Sequence, residues 1–370
     1  MIFLGWIRFG TEFFIKEPCL PLAVGLLLPH FFFQLHPLSL TIVAYFCIGL
    51  IARQPHLFLS GLVLGYLGTP ALPSFDLSPH LSSIKILLKQ RILSSYEKSV
   101  PSFYLTFFLG YPPTIVLQKT FQGCGLSHLL AISGYHFQSL IGSFYYLVQL
   151  CSKKSIQTIA LILISSTYFL LIDTTPSVFR SYVGVLMGLI ASMSLKIHYP
   201  KNTLFLSLIV LFFLDSSQIS TMGCLLSYLA TFAILYAPQT SSNLLTNYPP
   251  LLRKIFSILH LNFYISLFTL PYILLKIEEF PPISLAINLF FPLLISPCML
   301  LLILGLFFPI IAPLNQVYTQ LLLDFLEHIP RPLLKNFSIA AEYRIFLEIF
   351  LVFFIVKTLI RSCLKSTNAV

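Results

Sequence analysis

The 370 residues are 57% hydrophobic and only 9% charged, with a mean hydropathy of +0.90. A water-soluble domain carries roughly 25% charged residues, so this chain is an integral membrane protein. Its 22 Lys and Arg against 12 Asp and Glu leave a net charge of +10, which must crowd into short loops. In chain order, Glu12 and Glu17 interrupt the first apolar stretch and no small-residue cleavage site follows it, so it reads as a retained first span. Crossing about 30 Å of hydrocarbon takes about 20 residues. By that measure spans are expected near 18–35, 37–53, 56–72, 125–150, 155–173, 177–195, 202–215, 221–238, 256–276, 282–296, 298–312 and 345–361. The fold class is an all-α polytopic membrane protein of about 10–12 transmembrane helices. Residues 76–122 break the pattern. In SSIKILLKQRILSSYEKSV, Ile84, Leu87, Leu88 and Ile92 share one helical face, with Lys85, Lys89 and Lys98 mainly off it, as in an amphipathic helix lying on the membrane. The expected organisation is 1–75, N-terminal membrane helices; 76–122, the surface-lying segment; 123–312, a transmembrane core; and 313–370, a loop, a last helix and a basic tail.

Basic loops set the orientation. Lys153 and Lys154, Lys196 with Lys201, Arg253 and Lys254, and the tail Lys357, Arg361 and Lys365 fall on alternate loops, which places both termini in the cytoplasm. The same parity puts 76–122 outside and makes Lys85, Lys89, Arg91 and Lys98 a basic outer surface. An extracytoplasmic polyanion or anionic lipid headgroups would each account for it. The seven cysteines show no CxxC or paired spacing, so no structural disulfide is expected.

Polar residues inside apolar runs mark the candidate site. In GLSHLLAISGYHF, with His128 at zero and about 100° per residue, His136 falls near ~80°, Ser139 near ~20°, Ser143 near ~60° and Tyr146 near ~0°. Ser133 lies beside that sector, and Gly134 allows a bend there. Such a stripe reads as the wall of a wet path or a polar seam between helices. In DTTPSVFRSYVGVLMG, Pro176 and Ser177 start a helix that holds Arg180 in its first turn, with Gly184 and Gly188 at GxxxG spacing. Ser220, Cys224, Ser227 and Thr231 form a third small polar face, and Asn288 is an amide ahead of Pro292, compatible with a broken helix. A serine protease would need His136 to fold back onto Ser133 of the same helix, which counts against that class. A secondary transporter of a small anionic solute fits the stripe as well.

These stretches resemble the ComEC/Rec2 competence-protein family. GLSHLLAISGYH is similar to its GLSHLLAISGLH signature, TPSVFRSYVGVLMG to PSVLRA, GCLLSYLA to GFQLSFLA and INLFFPLL to NLLxLPL, in the family's order. Tyr135 replaces the signature leucine, Ser181 the alanine after the arginine, and Leu225 the glutamine before Leu226-Ser227. The OB-like and metallo-β-lactamase-like domains that members commonly add have no counterpart, and no HxHxDH-type cluster occurs among nine dispersed histidines. The resemblance therefore implies a membrane channel core without catalytic residues, metal or cofactor, and not an enzyme. It implies uptake of single-stranded DNA across the bacterial inner membrane during natural transformation. The DNA path would include His128, Ser133, Gly134, His136, Ser139, Ser143, Tyr146, Arg180, Ser227 and Asn288, with Tyr135 and Tyr145 adding stacking surface. The partners it implies are single-stranded DNA, the lipid bilayer, and a separate DNA receptor and nuclease. No GxxxxGK[ST] loop is present, so an ATP-driven helicase or translocase must also be separate.

Overall fold

The structure, a computed structural model, describes residues 19–20, 22–24, 78–126, 134–149, 153–172, 175–193, 199–237, 249–276, 279–280, 283–329, 337–338 and 341–367. The spans expected near 37–53 and 56–72, and most of that near 18–35, lie outside these residues. In chain order the helices are α1 (Ser78–Ser95), α2 (Val100–Leu109), α3 (Ile115–Gly123), α4 (Gly134–Val148), α5 (Lys154–Leu171), α6 (Pro176–Met193), α7 (Pro200–Leu214), α8 (Met222–Tyr236), α9 (Pro250–Lys276), α10 (Ile283–Phe307), α11 (Ala312–Glu327) and α12 (Ala341–Thr367). Among the described residues the strands are Glu279–Phe280 and Phe337–Ser338, two residues each and paired with one another, so the fold is all-α. Among the described residues, three helices have stretches long and apolar enough to cross a membrane: Lys154–Leu171, Pro176–Met193 and Phe256–Leu275. By contact the chain forms two compact units, one of Pro73–His198 with Phe280–Phe337 and the other of Met1–Leu72, Tyr199–Glu279 and Ser338–Val370.

In the first unit, α4 packs on α5, α6 and α10, α5 packs on α6, and α1, α2, α3 and α11 pack around them. The short α2 is about 15 Å long, too short to span a bilayer. Eight of its residues are buried, so α2 packs inside the protein. Phe103 stacks on Phe107 at 4.2 Å, Phe107 lies 5.4 Å from Phe121, and Phe121 meets Phe291 of α10 edge-on at 5.7 Å. Left-handed Gly110 (φ 75°) ends α2, and Tyr111 donates to the Leu105 carbonyl at 3.0 Å. The phase of α1 differs from the sequence expectation. Ile92 and Tyr96 enter the core and Leu88 packs against it, whereas Ile84 and Leu87 are exposed and Lys85 and Lys89 are half-buried. Lysine stems can cover an apolar surface while their ammonium groups reach outward.

The spans expected at 282–296 and 298–312 are differently divided. One helix, α10, runs through Pro292 and Pro297, and the chain turns at Pro309–Ile311 into α11. A membrane helix packed on neighbours tolerates an internal proline, because only one backbone bond is lost. Helix α11 buries Asn315 and Thr319 beside Ala312, Leu322, Leu323 and Leu326. These two polar residues point inward: Tyr104 lies 2.7 Å from both Asn315 Oδ1 and Thr319 Oγ1, and Asn315 Nδ2 donates to Tyr96 at 2.9 Å. Gln316 closes a pair of bonds with the Glu97 backbone at 3.0 and 3.2 Å. Outward it presents Leu314, Val317, Leu321 and Phe325, each more than half exposed. The arrangement suits a helix against lipid, where polar groups must be satisfied within the protein.

In the second unit α8 packs on α9, and α9 on α12. Phe268 links them, 5.5 Å from Phe232 and 5.0 Å from Phe354. Asp215 follows α7 and accepts from the Ser217 hydroxyl at 2.6 Å and Gln218 Nε2 at 2.9 Å. These bonds hold its carboxyl below the ordinary value. Thr221 caps α8 by accepting from Cys224 N at 3.3 Å.

Candidate functional site

Helix α4 has two faces of opposite chemistry. His136, Phe137, Leu140, Ile141 and Ser143 are buried against the unit's core. The other face carries Tyr135, Gln138, Ser139, Gly142, Tyr145, Tyr146 and Gln149, all exposed or half-buried and none of them aliphatic. Tyr145 and Tyr146 are 46% and 69% exposed, and a Cβ on Gly142 would meet nothing within 4 Å. By contrast, α5 exposes Ile156, Ile159, Leu163 and Leu170. Hydroxyl and amide groups facing hydrocarbon are expensive, so an aliphatic-free open face suits water or a polar ligand better than lipid. Neighbouring α10 fixes its register. Ser296 Oγ lies 2.6 Å from the Tyr135 hydroxyl and accepts from Ser139 Oγ at 3.2 Å.

At its N-terminal end α4 meets α6, joining two of the motifs recognised in the sequence. Gly134 N donates to Ser177 Oγ at 2.8 Å, so a side chain of α6 caps α4. A Cβ on Gly134 would collide with Ser181 Oγ and Arg180 Nη2 and stand 3.1 Å from the Ser177 carbonyl oxygen. Arg180 Nη2 in turn donates to Ser181 Oγ at 3.1 Å. Two helix N-termini and a half-buried guanidinium thus converge, which favours negative charge nearby.

The expected site residues divide accordingly. Gly134 and Arg180 come together, and Ser139 and Tyr146 lie on the open face. His136 and Ser143 turn inward: His136 sits edge-on to Phe107 with ring centroids 4.9 Å apart, and Ser143 Oγ donates back to the Ser139 carbonyl at 2.9 Å. Ser227, in the other unit, accepts at its carbonyl from Thr231 Oγ1 at 2.9 Å. His128, Ser133 and the side chain of Asn288 lie outside the described residues. Lys85 and Lys89 place their ammonium groups 5.2 and 4.7 Å from the Tyr111 ring centre, Arg91 is exposed, and Lys98 is in the α1–α2 loop with φ 56°. A Cβ on Gly184 or Gly188 would meet nothing within 4 Å, so their GxxxG spacing makes no close contact among the described residues. The sequence reading left Gln138, Gly142, Gln149, Ser177 and Ser296 out of the site. The first three share a face with Tyr135 and Tyr145 at steps of three and four, a signal visible once aliphatic residues are looked for and not found. Among the described residues no group of three or more His, Cys, Asp or Glu could hold a metal ion, and Cys19, Cys124, Cys224 and Cys298 are free thiols.

A family model described as "Competence protein" matches residues 116–364, well over half of the chain. The chain belongs to the competence protein family. No curated protein and no solved structure matches it. The matched region takes in α4, the Gly134–Arg180 contact and the α10–α11 hairpin, and is consistent with a ComEC/Rec2-type membrane core. As a competence protein with outward-facing apolar helices, it is a membrane protein with a role in competence.

Proposed function

We propose that this competence protein carries single-stranded DNA across the bacterial inner membrane during natural transformation, along the open face of α4. The observation that supports this reading is the aliphatic-free face of α4 in a chain whose other outward faces are rich in Ile, Leu and Phe. A single strand needs surfaces for unpaired bases and for one negative charge per nucleotide. Tyr135, Tyr145 and Tyr146 offer aromatic rings that any base can stack on. Gln138, Ser139 and Gln149 offer hydrogen bonds that replace water. Arg180, with the N-termini of α4 and α6, supplies positive potential at one end of the face. His136 and Ser143 support the helix from behind in this reading. The protein moves the strand without breaking phosphodiester bonds, both termini are cytoplasmic, and the energy for pulling comes from a partner. The test is import of labelled DNA, scored separately from surface binding, in cells carrying Gln138→Leu with Tyr145→Leu. Import is expected to fail at normal abundance of the protein. Normal import by that well-expressed variant would overturn the assignment.

A further inference from the structure

Helix α1 and the start of α3 bear a second outward surface, of a different character from that of α4. Lys85 and Lys89, one turn apart, bring both ammonium groups to one tyrosine ring, 5.2 and 4.7 Å from the centre of Tyr111. The turn at Gly110 and the bond from Tyr111 N to Leu105 O hold that residue's backbone in place. On α1, Ile86 and Leu93 are exposed within about 100° of these lysines and Ile84 and Leu87 are exposed on other sides of the helix, while Ile115 and Val116 on α3 are 72% and 65% exposed. No acidic residue occurs anywhere in α1.

The sequence left two partners open for these cations, a polyanion or lipid headgroups. The aliphatic side chains decide between them. Exposed Ile, Leu and Val offer nothing to a phosphodiester chain in water, whereas the headgroup–acyl boundary accepts apolar side chains below and cations above. A half-buried tyrosine and lysines with covered stems are the side chains suited to that level. We propose that Lys85, Lys89 and Tyr111 form a site for the phosphate of an anionic phospholipid headgroup, with α1 lying in the plane of the interface. The site is independent of the α4 face.

The test uses the full chain carrying Trp6→Phe, so that Tyr111→Trp is the sole indole and reports from the site. It is reconstituted in phosphatidylcholine vesicles containing equal fractions of either brominated phosphatidylglycerol or brominated phosphatidylcholine. The anionic lipid is expected to quench more strongly, with an enrichment of about fivefold for each lysine that falls as salt is added. Adding K85Q and K89Q should make the two lipids equal, while K85R with K89R should keep the preference. Millimolar glycerol 3-phosphate should leave the quenching unchanged; relief by it would assign the site to a soluble phosphate and overturn the lipid. Equal quenching from the start, a preference that survives K85Q with K89Q, or protection of the indole by an oligothymidylate would also overturn the proposal.

Discussion

Gly134→Ala tests the junction of α4 with α6 most sharply. The added methyl would overlap Ser181 Oγ and Arg180 Nη2 and press on the Ser177 carbonyl oxygen at 3.1 Å. The two side chains can swing aside, but doing so breaks the 3.1 Å bond between them, and the carbonyl can move only with the α6 backbone. Separating the helices instead would stretch the 2.8 Å bond from Gly134 N to Ser177 Oγ. Overpacking of this kind costs about 1–3 kcal/mol, roughly a 5- to 150-fold shift in the unfolding equilibrium. Reversible unfolding in mixed micelles, with SDS as denaturant, reads that shift directly. Adding Ser181→Ala removes one overlapping atom and should return part of the loss, although Ser181→Ala alone forfeits a hydrogen bond and should be slightly destabilising. This opposite sign is the signature of a steric contact. Wild-type stability of Gly134→Ala, or losses that simply add in the double variant, would refute the close approach.

Tyr104→Phe should cost about 1–3 kcal/mol in the same assay, because Asn315 and Thr319 are left buried without that hydroxyl. Leu321→Lys places a charge on the outward stripe of α11 and should lower membrane insertion and abundance. An unchanged yield would show that this stripe faces water. Asp215→Asn should be destabilising at neutral pH and neutral in strong acid. Its folded carboxyl titrates below the ordinary 3.8, so the stabilisation is complete above 3.8 and is lost as pH falls through the lower folded value. A thermal-unfolding difference between Asp215→Asn and wild type that did not change with pH would contradict this.

Composition made the membrane class legible, and apolar runs located α5, α6 and the apolar part of α9 closely. Helix α11 was hidden because Asn315, Gln316, Thr319, Gln320 and Asp324 dilute its hydropathy, and only the bonds of Asn315 and Thr319 to Tyr96 and Tyr104 show that these two turn inward. Pro292 and Pro297 suggested a break that packing overrides, while the actual turn uses Pro309. For the site, motif spelling identified Gly134 and Arg180, but their contact joins residues 46 positions apart and no periodicity encodes it. The polar stripe on α4 was visible as a helical face, yet its rotation was not. Taking His136 as part of the wall turned the expected face toward Phe107, whereas Tyr135, Gln138 and Gln149 mark the side left open.

The central claim is that DNA passes along the open face of α4, and photocrosslinking during uptake tests it most directly. A benzophenone amino acid is placed in turn at Gln138, Tyr145 and Gln149, and at Leu163 on the apolar outer face of α5. Cells importing labelled DNA are then irradiated and the protein is isolated. Covalent DNA adducts are expected at the three α4 positions and not at Leu163. Adducts absent from all three, or equally abundant at Leu163, would contradict the account.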